Sequence, residues 1–335
     1  MKKIIISRTD NLGDVILTLP VAGVLKEIYP DCKIIFLGNN YSEPIIKTSE
    51  FVDEFINWQE INKLPLKQQV KKIRELNADI ILHIFPRIKI ARIAAKAKIP
   101  LRIGTTRRPY NLLYCNKLVK VSRKKSDLHE AQLNLKLLTT IGANDIYDIS
   151  EIPKYYGITK IQQLKPEFRE LLKQDKINLI IHPKSKGSAR EWGIENFSNL
   201  VELLPSTKYR IFITGTNDEK KLIPDFLEKY KDRIIDMTGK LSLSEFISFI
   251  DSSHGLIAAS TGPLHIASAL GKFALGLYAP MRPIFPKRWK PVGTNSHYLV
   301  IDKENCNDCK KTKNCICIKS IKPEDVYNKI ESCFN

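Results

Sequence analysis

The chain has 335 residues, of which 43% are hydrophobic and 27% charged, and its 54 lysines and arginines against 36 acidic residues give a formal net charge of +18. This composition excludes a disordered or collagen-like chain, and the length predicts about two domains. The longest weakly charged stretch, residues 255–279, contains His265, Lys272, Pro263 and four glycines, which excludes a uniform membrane span, and the N-terminus lacks the apolar region of a secretory signal, so we expect a cytoplasmic protein.

Short apolar runs alternate with amphipathic stretches through the first half of the chain. The periodicity predicts strands over 3–7, 33–37, 80–84 and 101–104, and helices over 14–28, 66–77, 88–97 and 128–141. Because alternating strands and helices favour a parallel α/β domain, we assign residues 1–155 to an N-terminal domain of this class.

A more polar stretch then interrupts the alternation, and we predict a linker over residues 156–176. The second half predicts strands over 177–181, 209–214, 255–259 and 273–277, and helices over 194–203, 218–230 and 242–250. We assign residues 177–320 to a C-terminal α/β domain and 321–335 to a final helix, since Pro323 followed by two acidic residues is typical of a helix start. The predicted fold class is α/β, with two Rossmann-like, doubly wound domains facing each other across a cleft.

The loop after the first predicted strand contains Leu12-Gly13-Asp14. Open parallel sheets bind ligands beyond the carboxyl ends of their strands, so Asp14 is a candidate site residue. The alternative is a first-turn carboxylate that stabilises the helix dipole. The loop carries neither a dinucleotide fingerprint nor a Walker sequence.

Two further loops follow predicted strands of the second domain. Residues 182–192 include Lys184, Ser185 and Arg190, a combination typical of a diphosphate-binding loop, although a solvated basic loop is the alternative. Residues 260–265 combine hydroxyl groups with a helix N-terminus, which suits phosphate oxygens. A histidine such as His265 is, taken alone, more often structural than catalytic.

A basic segment lies between Asp79 and Asp127, where the sequence has thirteen lysines and arginines and no acidic residue. It predicts a cationic face on the first domain, suited to nucleic acid, an anionic membrane or a phosphorylated substrate; a solvated helix face is the alternative. Between residues 87 and 125 only Tyr110 and Tyr114 could stack on bases, which disfavours nucleic acid.

Four of the seven cysteines cluster near the C-terminus, at Cys306, Cys309, Cys315 and Cys317. The first two form the C-x-x-C pair from which tetrahedral zinc sites often start, whereas the one-residue spacing of the second two is atypical. The sequence leaves open a zinc site and a packed or redox-labile loop.

Taken together, three motifs resemble glycosyltransferase family 9, the ADP-heptose:lipopolysaccharide heptosyltransferases. They are Leu12-Gly13-Asp14, His182-Pro183 with Arg190 and Trp192, and Thr261-Gly262-Pro263-Leu264-His265, the most specific of the three. The resemblance covers nearly the whole chain. It implies a GT-B fold in which the C-terminal domain binds most of the nucleotide-sugar donor and the N-terminal domain binds the acceptor, with no obligatory metal and no cofactor beyond the donor substrate.

The resemblance also implies roles for individual residues. Asp14 corresponds to the general base, and the donor site comprises Lys184, Ser185, Arg190, Thr261, Gly262 and His265. We expect the acceptor to meet Gly13, Arg107, Arg108, Lys124 and Lys125. Ser260 and Lys184 stand where many members have Asp and Gly, which leaves the identity of the sugar open.

The expected activity is an inverting transfer of heptose from ADP-heptose to an anionic, lipid-linked lipopolysaccharide inner-core acceptor. The enzyme is expected to work in the cytoplasm, peripherally at the inner membrane surface. The alternatives are a transferase of the same fold using another nucleotide-sugar and, less favoured, a nucleic-acid-binding protein. The acceptor position and the oligomeric state are not predicted.

Overall fold

A computed structural model describes residues 1–123, 126–185, 187, 189–303, 306–307, 309, 312 and 314–334. The chain divides into two compact units, Met1–Lys160 and Ile161–Asn335, called here the N-terminal and the C-terminal unit. Within the described ranges, the helices are all too short or too polar to cross a bilayer.

The N-terminal unit is built on a six-stranded sheet of order β3-β2-β1-β4-β5-β6, in which all neighbouring strands pair in parallel. Its strands are β1 (Lys3–Ser7), β2 (Lys33–Gly38), β3 (Glu54–Asn57), β4 (Ile80–His83), β5 (Leu101–Thr105) and β6 (Lys117–Val119). Its α-helices are α1 (Leu12–Ile16), α2 (Leu19–Ile28), α3 (Glu43–Ile46), α4 (Trp58–Lys63), α5 (Leu66–Glu75), α6 (Ile88–Lys96), α7 (Asn111–Tyr114) and α8 (Glu130–Leu135). Short 3₁₀ turns cover Asn40–Ser42, Lys136–Ile141 and Ile152–Tyr155.

The C-terminal unit repeats this plan with a parallel sheet of order β12-β11-β10-β7-β8-β9. Its strands are β7 (Ile177–His182), β8 (Tyr209–Ile213), β9 (Ile234–Asp236), β10 (Gly255–Ala259), β11 (Phe273–Tyr278) and β12 (Ser296–Val300). Its α-helices are α9 (Pro166–Arg169), α10 (Ile194–Leu203), α11 (Asn217–Lys220), α12 (Pro224–Lys229), α13 (Leu243–Ser252), α14 (Gly262–Ala269), α15 (Pro286–Trp289), α16 (Ile316–Lys319) and α17 (Pro323–Phe334).

The central strands explain why the sequence predicts the fold class. Strands β1, β7 and β10 are buried over nearly their whole length, and a strand covered on both faces is a short continuous apolar run. Both sheets have the doubly wound Rossmann order, counted outward in two directions from the first strand of each unit. The prediction of an α/β chain with two such sheets is confirmed.

Two helices that the periodicity predicts as continuous are each divided into two in the structure. The helix predicted over 14–28 divides at Thr18, the N-cap of α2, because Pro20 near the start of α2 has no backbone N–H to continue the preceding helix. The helix predicted over 218–230 divides into α11 and α12, again with a proline, Pro224, at the start of the second helix. The apolar periodicity runs through both breaks, so it does not reveal them.

Candidate active site

The N-terminal sheet changes its winding direction at β1. The chain runs from β1 outward to β2 and β3, and the next strand, β4, pairs with the other side of β1. Ligands of open parallel sheets bind at such a switch point, beyond the carboxyl ends of the strands. The loop that follows β1 and enters α1, with Arg8, Asp10 and Asp14, starts at this point.

Arg8 is the centre of a buried ion-pair network in that loop. Its side chain is 2% exposed, and its Nε lies 2.6 Å from Asp10 Oδ1. Its Nη2 donates a hydrogen bond to Asp14 Oδ1, and its Nη1 lies 3.5 Å from Glu130 Oε1. Burial alone would lower the pKa of Arg8, but the three carboxylates outweigh burial and raise that pKa above its usual value. Arg8 is therefore a fixed cation.

Asp14 lies in the first turn of α1, and its carboxylate is directed at Arg8. The N-cap residue of α1 is Asn11, whose side chain makes no capping hydrogen bond. Burial, with the negative charges of Asp10 and Glu130, raises the pKa of Asp14 to about 6, although Arg8 opposes this rise. Such a carboxylate is mostly ionised at pH 7 and binds a proton more readily than an exposed one. This position is compatible with both roles that the sequence left open, a proton acceptor and a first-turn carboxylate that stabilises the helix dipole.

Residues distant in sequence complete the network. Arg123 donates from Nε to Glu130 Oε1 at 2.8 Å and from Nη2 to Asn134 Oδ1 at 2.9 Å. Asn134, on α8, donates in turn from Nδ2 to the Leu17 carbonyl oxygen at 3.0 Å. Helix α8 thereby fixes the end of α1 and holds Glu130 against Arg8. No motif in the sequence predicts this contribution of α8.

A pocket of about 620 Å³ opens beyond the carboxyl ends of β1, β2 and β3. It is lined by Thr9, Asn39, Trp58, Gln59, Asn62, Lys63, Arg87, Ile88 and Lys89. Asn39 Nδ2 donates to the Thr9 carbonyl oxygen at 2.9 Å, which ties two walls together. Amide side chains, an indole and three cations are suited to a polar, anionic ligand. Thr9 lies in the loop between β1 and α1, and Asp14 is in the first turn of that helix.

Some cations of the basic segment have structural roles, and the predicted cationic face stays a prediction. Arg102 uses its guanidinium structurally, donating to the carbonyl oxygens of Tyr114 at 2.7 Å and Ile99 at 2.5 Å. Arg123 belongs to the buried network described above. Arg87 packs over the Phe85 ring at 4.5 Å from its centroid and faces the pocket.

The residues predicted to meet the acceptor have different positions. Gly13 is partly exposed immediately before Asp14, and Arg107 and Arg108 are exposed in the turn after β5. Lys124 and Lys125 lie outside the described residues. The same exposed turn continues into α7, where Leu112 and Leu113 are 66% and 78% exposed.

The predicted donor residues lie beyond the carboxyl ends of β7 and β10, the two central strands of the C-terminal sheet. Its switch point falls between β7 and β10, where His182 pairs in register with Ala258. The loop 183–193 and the connection 260–261 therefore leave adjacent strands at the same end. Parallel pairing brings together two motifs that are far apart in the sequence.

Glu191 organises the first of these loops. Its Oε1 accepts hydrogen bonds from the Ser185 backbone N–H at 3.1 Å and from Ser185 Oγ at 3.2 Å, and its Oε2 accepts one from Lys184 Nζ. Trp192, fully buried, donates from Nε1 to the Ile321 carbonyl oxygen at 2.8 Å. The tryptophan anchors the end of the loop, and Glu191 neutralises Lys184.

Arg190 differs from Lys184 because it donates to a neutral backbone carbonyl and not to a carboxylate. Its Nε and Nη2 donate to the Cys309 carbonyl oxygen at 3.2 Å and 2.9 Å. A carbonyl positions the guanidinium without cancelling its charge, and other N–H groups of the fork can still donate. Arg190 is thus held as a cation in the loop after β7.

Thr261 is the N-cap of α14, but its side chain makes no capping bond. Its Oγ1 is buried and has no hydrogen-bond partner among the described residues. Gly262 begins α14, and His265, 3% exposed, lies in its first turn. A buried hydroxyl beside a helix N-terminus can donate to an anionic oxygen, which the helix dipole also favours.

The cysteines predicted as a possible zinc site converge in space. Cys306, Cys309, Cys315 and Cys317 are all buried in the core of the C-terminal unit. The C-x-x-C pair signalled this site in the sequence. For Glu191 and Glu130, no sequence motif distinguished a site carboxylate from a surface one.

Comparisons with known proteins agree on one family. Residues 67–318, about three quarters of the chain, match the family model of glycosyltransferase family 9 (heptosyltransferase). A putative glycosyltransferase from Haemophilus influenzae is 25% identical over 302 residues, which cover 87% of this chain and 86% of that protein.

Two solved structures extend the likeness to the fold of nearly the whole chain. The family 9 glycosyl transferase from Veillonella parvula has a TM-score of 0.79 at 20% identity, over 99% of this chain and 96% of the other. The ADP-heptose LPS heptosyltransferase II of E. coli has a TM-score of 0.75 at 18% identity, over 99% and 98%.

Proposed function

This chain belongs to glycosyltransferase family 9 and is a glycosyltransferase, and we propose that it transfers a heptose from ADP-heptose to a lipopolysaccharide inner-core acceptor with inversion. The N-terminal unit binds the acceptor, and the C-terminal unit binds the nucleotide-sugar. The E. coli structure compared above is named an ADP-heptose LPS heptosyltransferase, which supports this donor and this acceptor.

The observation that carries the proposal is the Asp14 carboxylate, bound by Arg8 in the first turn of α1. The loop before this helix contributes Thr9 to the 620 Å³ pocket. In the reaction, an acceptor hydroxyl oxygen forms a bond to the anomeric carbon while its proton moves to Asp14. The bond from that carbon to the β-phosphate oxygen breaks, and ADP leaves with the electron pair. A positioned base of this kind contributes roughly 10²- to 10⁴-fold in rate.

The departing diphosphate needs positive charge and hydrogen-bond donors as its own charge develops. Arg190 supplies the charge, because its fork is fixed by the Cys309 carbonyl and not neutralised by it. Thr261 Oγ1 and the N-terminus of α14 supply donors. Ser185 and Lys184 border the same loop, and His265 lies one turn into α14.

The donor assignment is tested by titrating the purified protein with ADP-, GDP- and UDP-linked sugars in a calorimeter. We expect ADP-heptose and ADP to bind, and Arg190→Ala to weaken ADP binding roughly 10- to 100-fold, since a charge-assisted hydrogen bond contributes about 1.5–3 kcal/mol.

Arg233→Ala is the matched control for the arginine. Arg233 also donates to backbone carbonyls, those of Val201 and Leu204, but it precedes β9 at the opposite end of the sheet. Equal ADP affinities in the two variants would remove Arg190 from the donor site. Preference for a UDP- or GDP-sugar would replace the proposed donor and favour a transferase for another nucleotide-sugar.

The proposed lipid-linked acceptor requires access to a membrane surface. The turn from β5 into α7 exposes Arg107 and Arg108 together with Leu112 and Leu113. Basic residues near an anionic leaflet contribute about 1 kcal/mol each, and exposed leucines can insert at the interface. This combination supports peripheral contact with an anionic bilayer.

Vesicle sedimentation tests this contact. Replacing Arg107 and Arg108 with Gln removes about 2 kcal/mol of attraction, so partitioning onto anionic vesicles should fall about 30-fold. Partitioning onto zwitterionic vesicles should change little. Leu112→Ser with Leu113→Ser should weaken binding to both. Ile146→Ser, an exposed apolar residue beside Asp145 and Asp148, should have no effect. Unchanged partitioning in both double variants would exclude this turn as the contact.

A further inference from the structure

The four clustered cysteines form a group of converging sulfur atoms. The Sγ atoms of Cys306, Cys309 and Cys317 all lie within 4.8 Å of one another. The Sγ of Cys315 lies 2.8 Å from that of Cys309. Each of the four side chains is at most 7% exposed. Packing alone does not require thiols to face each other, because a thiol is a weak hydrogen-bond donor that packs as well against carbon.

The separations can be compared with those of a tetrahedral thiolate site. A Zn–S bond of about 2.3 Å places neighbouring sulfur atoms about 3.8 Å apart in a tetrahedron. The 4.8 Å limit for Cys306, Cys309 and Cys317 includes this distance, whereas the 2.8 Å between the sulfur atoms of Cys309 and Cys315 is shorter than it. Binding of Cys315 as the fourth ligand therefore requires side-chain rotation that moves these two sulfur atoms about 1 Å apart.

The atypical one-residue spacing has a structural explanation. Cys315 precedes α16 with an extended backbone, at φ −80° and ψ 109°, whereas Cys317 lies inside α16. The chain turns into the helix between them, so residues two apart can face the same point. The C-x-x-C pair at Cys306 and Cys309 supplies the other side.

We propose that Cys306, Cys309, Cys315 and Cys317 bind one tetrahedrally coordinated transition-metal ion, with Zn²⁺ as the expected ion. On binding, four S–H bonds lose their protons to solvent and four metal–sulfur bonds form, with no change of oxidation state. A Zn²⁺ tetrathiolate has a net charge of −2. In the sequence, Lys310, Lys311 and Lys313 stand between the two pairs of ligands.

The site has a consequence for the donor loop that rests on the proposed function. The Cys309 carbonyl accepts both hydrogen bonds from Arg190, and the Cys306 backbone N–H donates to the Pro280 carbonyl oxygen at 2.7 Å. A metal that fixes these two cysteines therefore fixes Arg190. The metal is a positioning group and does not touch the reacting atoms.

Metal analysis of the full chain, purified without chelator, tests the site independently of the donor. We expect about one zinc per chain in the wild type and in Cys333→Ser, and less than about one tenth of that in Cys317→Ser. Cys333 lies outside the cluster and is partly exposed, so it is the matched control. Iron at equal stoichiometry would support the thiolate site and identify its metal.

A titration with Co²⁺ keeps the test decisive if Cys317→Ser does not fold. After the metal is removed with a chelator, the wild type should develop the sulfur-to-cobalt charge-transfer and tetrahedral d–d bands of a tetrathiolate. Four reduced thiols with no bound metal and no such bands would overturn the proposal. A Cys309–Cys315 disulfide in the freshly isolated protein, found by mass spectrometry, would also overturn it.

The chelated protein also separates the two proposals. If the metal positions Arg190 at a donor site, ADP affinity falls when the metal is removed and recovers when Zn²⁺ is restored. Metal binding without any ADP binding would leave the thiolate site standing and reject the proposed donor. A protein that binds ADP as expected but binds no metal would leave the proposed donor standing and reject the thiolate site.

Discussion

Asp14→Asn should lower kcat for heptose transfer by roughly 10²- to 10⁴-fold, the usual contribution of a positioned general base. The amide has the same shape as the carboxylate but does not accept the acceptor's proton. ADP affinity should stay within about twofold, because the proposed base acts on the acceptor and the donor is assigned to the other unit. Steady-state kinetics with a purified acceptor, together with ADP titration, measure both quantities.

Asp10→Asn is a close control for this substitution. Asp10 and Asp14 both bind Arg8, and their side chains are 13% and 14% exposed. If only the ion pair with Arg8 mattered, the two variants would lose similar activity. We expect Asp10→Asn to lose less than about tenfold. Comparable turnover in wild type and Asp14→Asn would reject the base.

The pH profile gives a second measure of the same carboxylate. Because the pKa of Asp14 is raised to about 6, the base is ionised at pH 7 and becomes protonated below pH 6. The wild-type kcat/KM should therefore fall about tenfold per pH unit below that value. Asp14→Asn should lack this acidic limb, which a variant that is merely destabilised would retain.

Arg8→Met should lower the free energy of unfolding by about 3–5 kcal/mol at pH 7, because it leaves buried carboxylates without their cation. Methionine keeps much of the side-chain volume, so the loss reports charge more than packing. Asp10, Asp14 and Glu130 all contact Arg8. Urea unfolding at fixed ionic strength measures the difference.

The loss of unfolding free energy in Arg8→Met should become smaller as the pH is lowered. Burial already raises the pKa values of Asp10 and Asp14 in the presence of Arg8, so without Arg8 these groups bind protons more readily in the folded than in the unfolded chain. Stability of the variant then rises as the pH falls from above 6 toward 4. The exposed Arg92 provides the control, since Arg92→Met should change stability by less than about 0.5 kcal/mol at either pH. A deficit independent of pH would indicate lost packing and reject the charge explanation.

The sequence predicts correctly those strands in which nearly every residue is apolar. Strand β1 and strand β10 have the predicted bounds because apolar residues fill them. The four strands at the edges of the two sheets were not predicted; they are β3, β6, β9 and β12. In β3 and β12 no residue is fully buried, so half-exposed polar residues hide the strand pattern.

Some residues of the candidate site could be predicted from the sequence, and others could not. Asp14, Arg190 and Thr261 lie in the segments that connect a strand to the next helix or in the first turn of that helix. The rule that open parallel sheets bind ligands beyond the carboxyl ends of their strands therefore selects them as candidates. Glu130 was not found because its contact with Arg8 joins residues far apart in sequence, and only the packing of α8 brings them together. The neutralisation of Lys184 by Glu191 also depends on how the loop closes.

The strand order of the sheets has a consequence for synthesis on the ribosome. The first strand of the chain, β1, pairs with β2 and with β4, and Ile4 meets Ile80 in the second pairing. Parallel pairing between such distant residues is slow, because a long loop must close before the contact stabilises anything. Even so, both partners of β1 and the three carboxylates that contact Arg8 belong to the first unit. The nascent N-terminal unit can therefore assemble its sheet and its buried charges while the C-terminal unit is still being translated, which limits the time that the aggregation-prone edges of β1 stay unpaired.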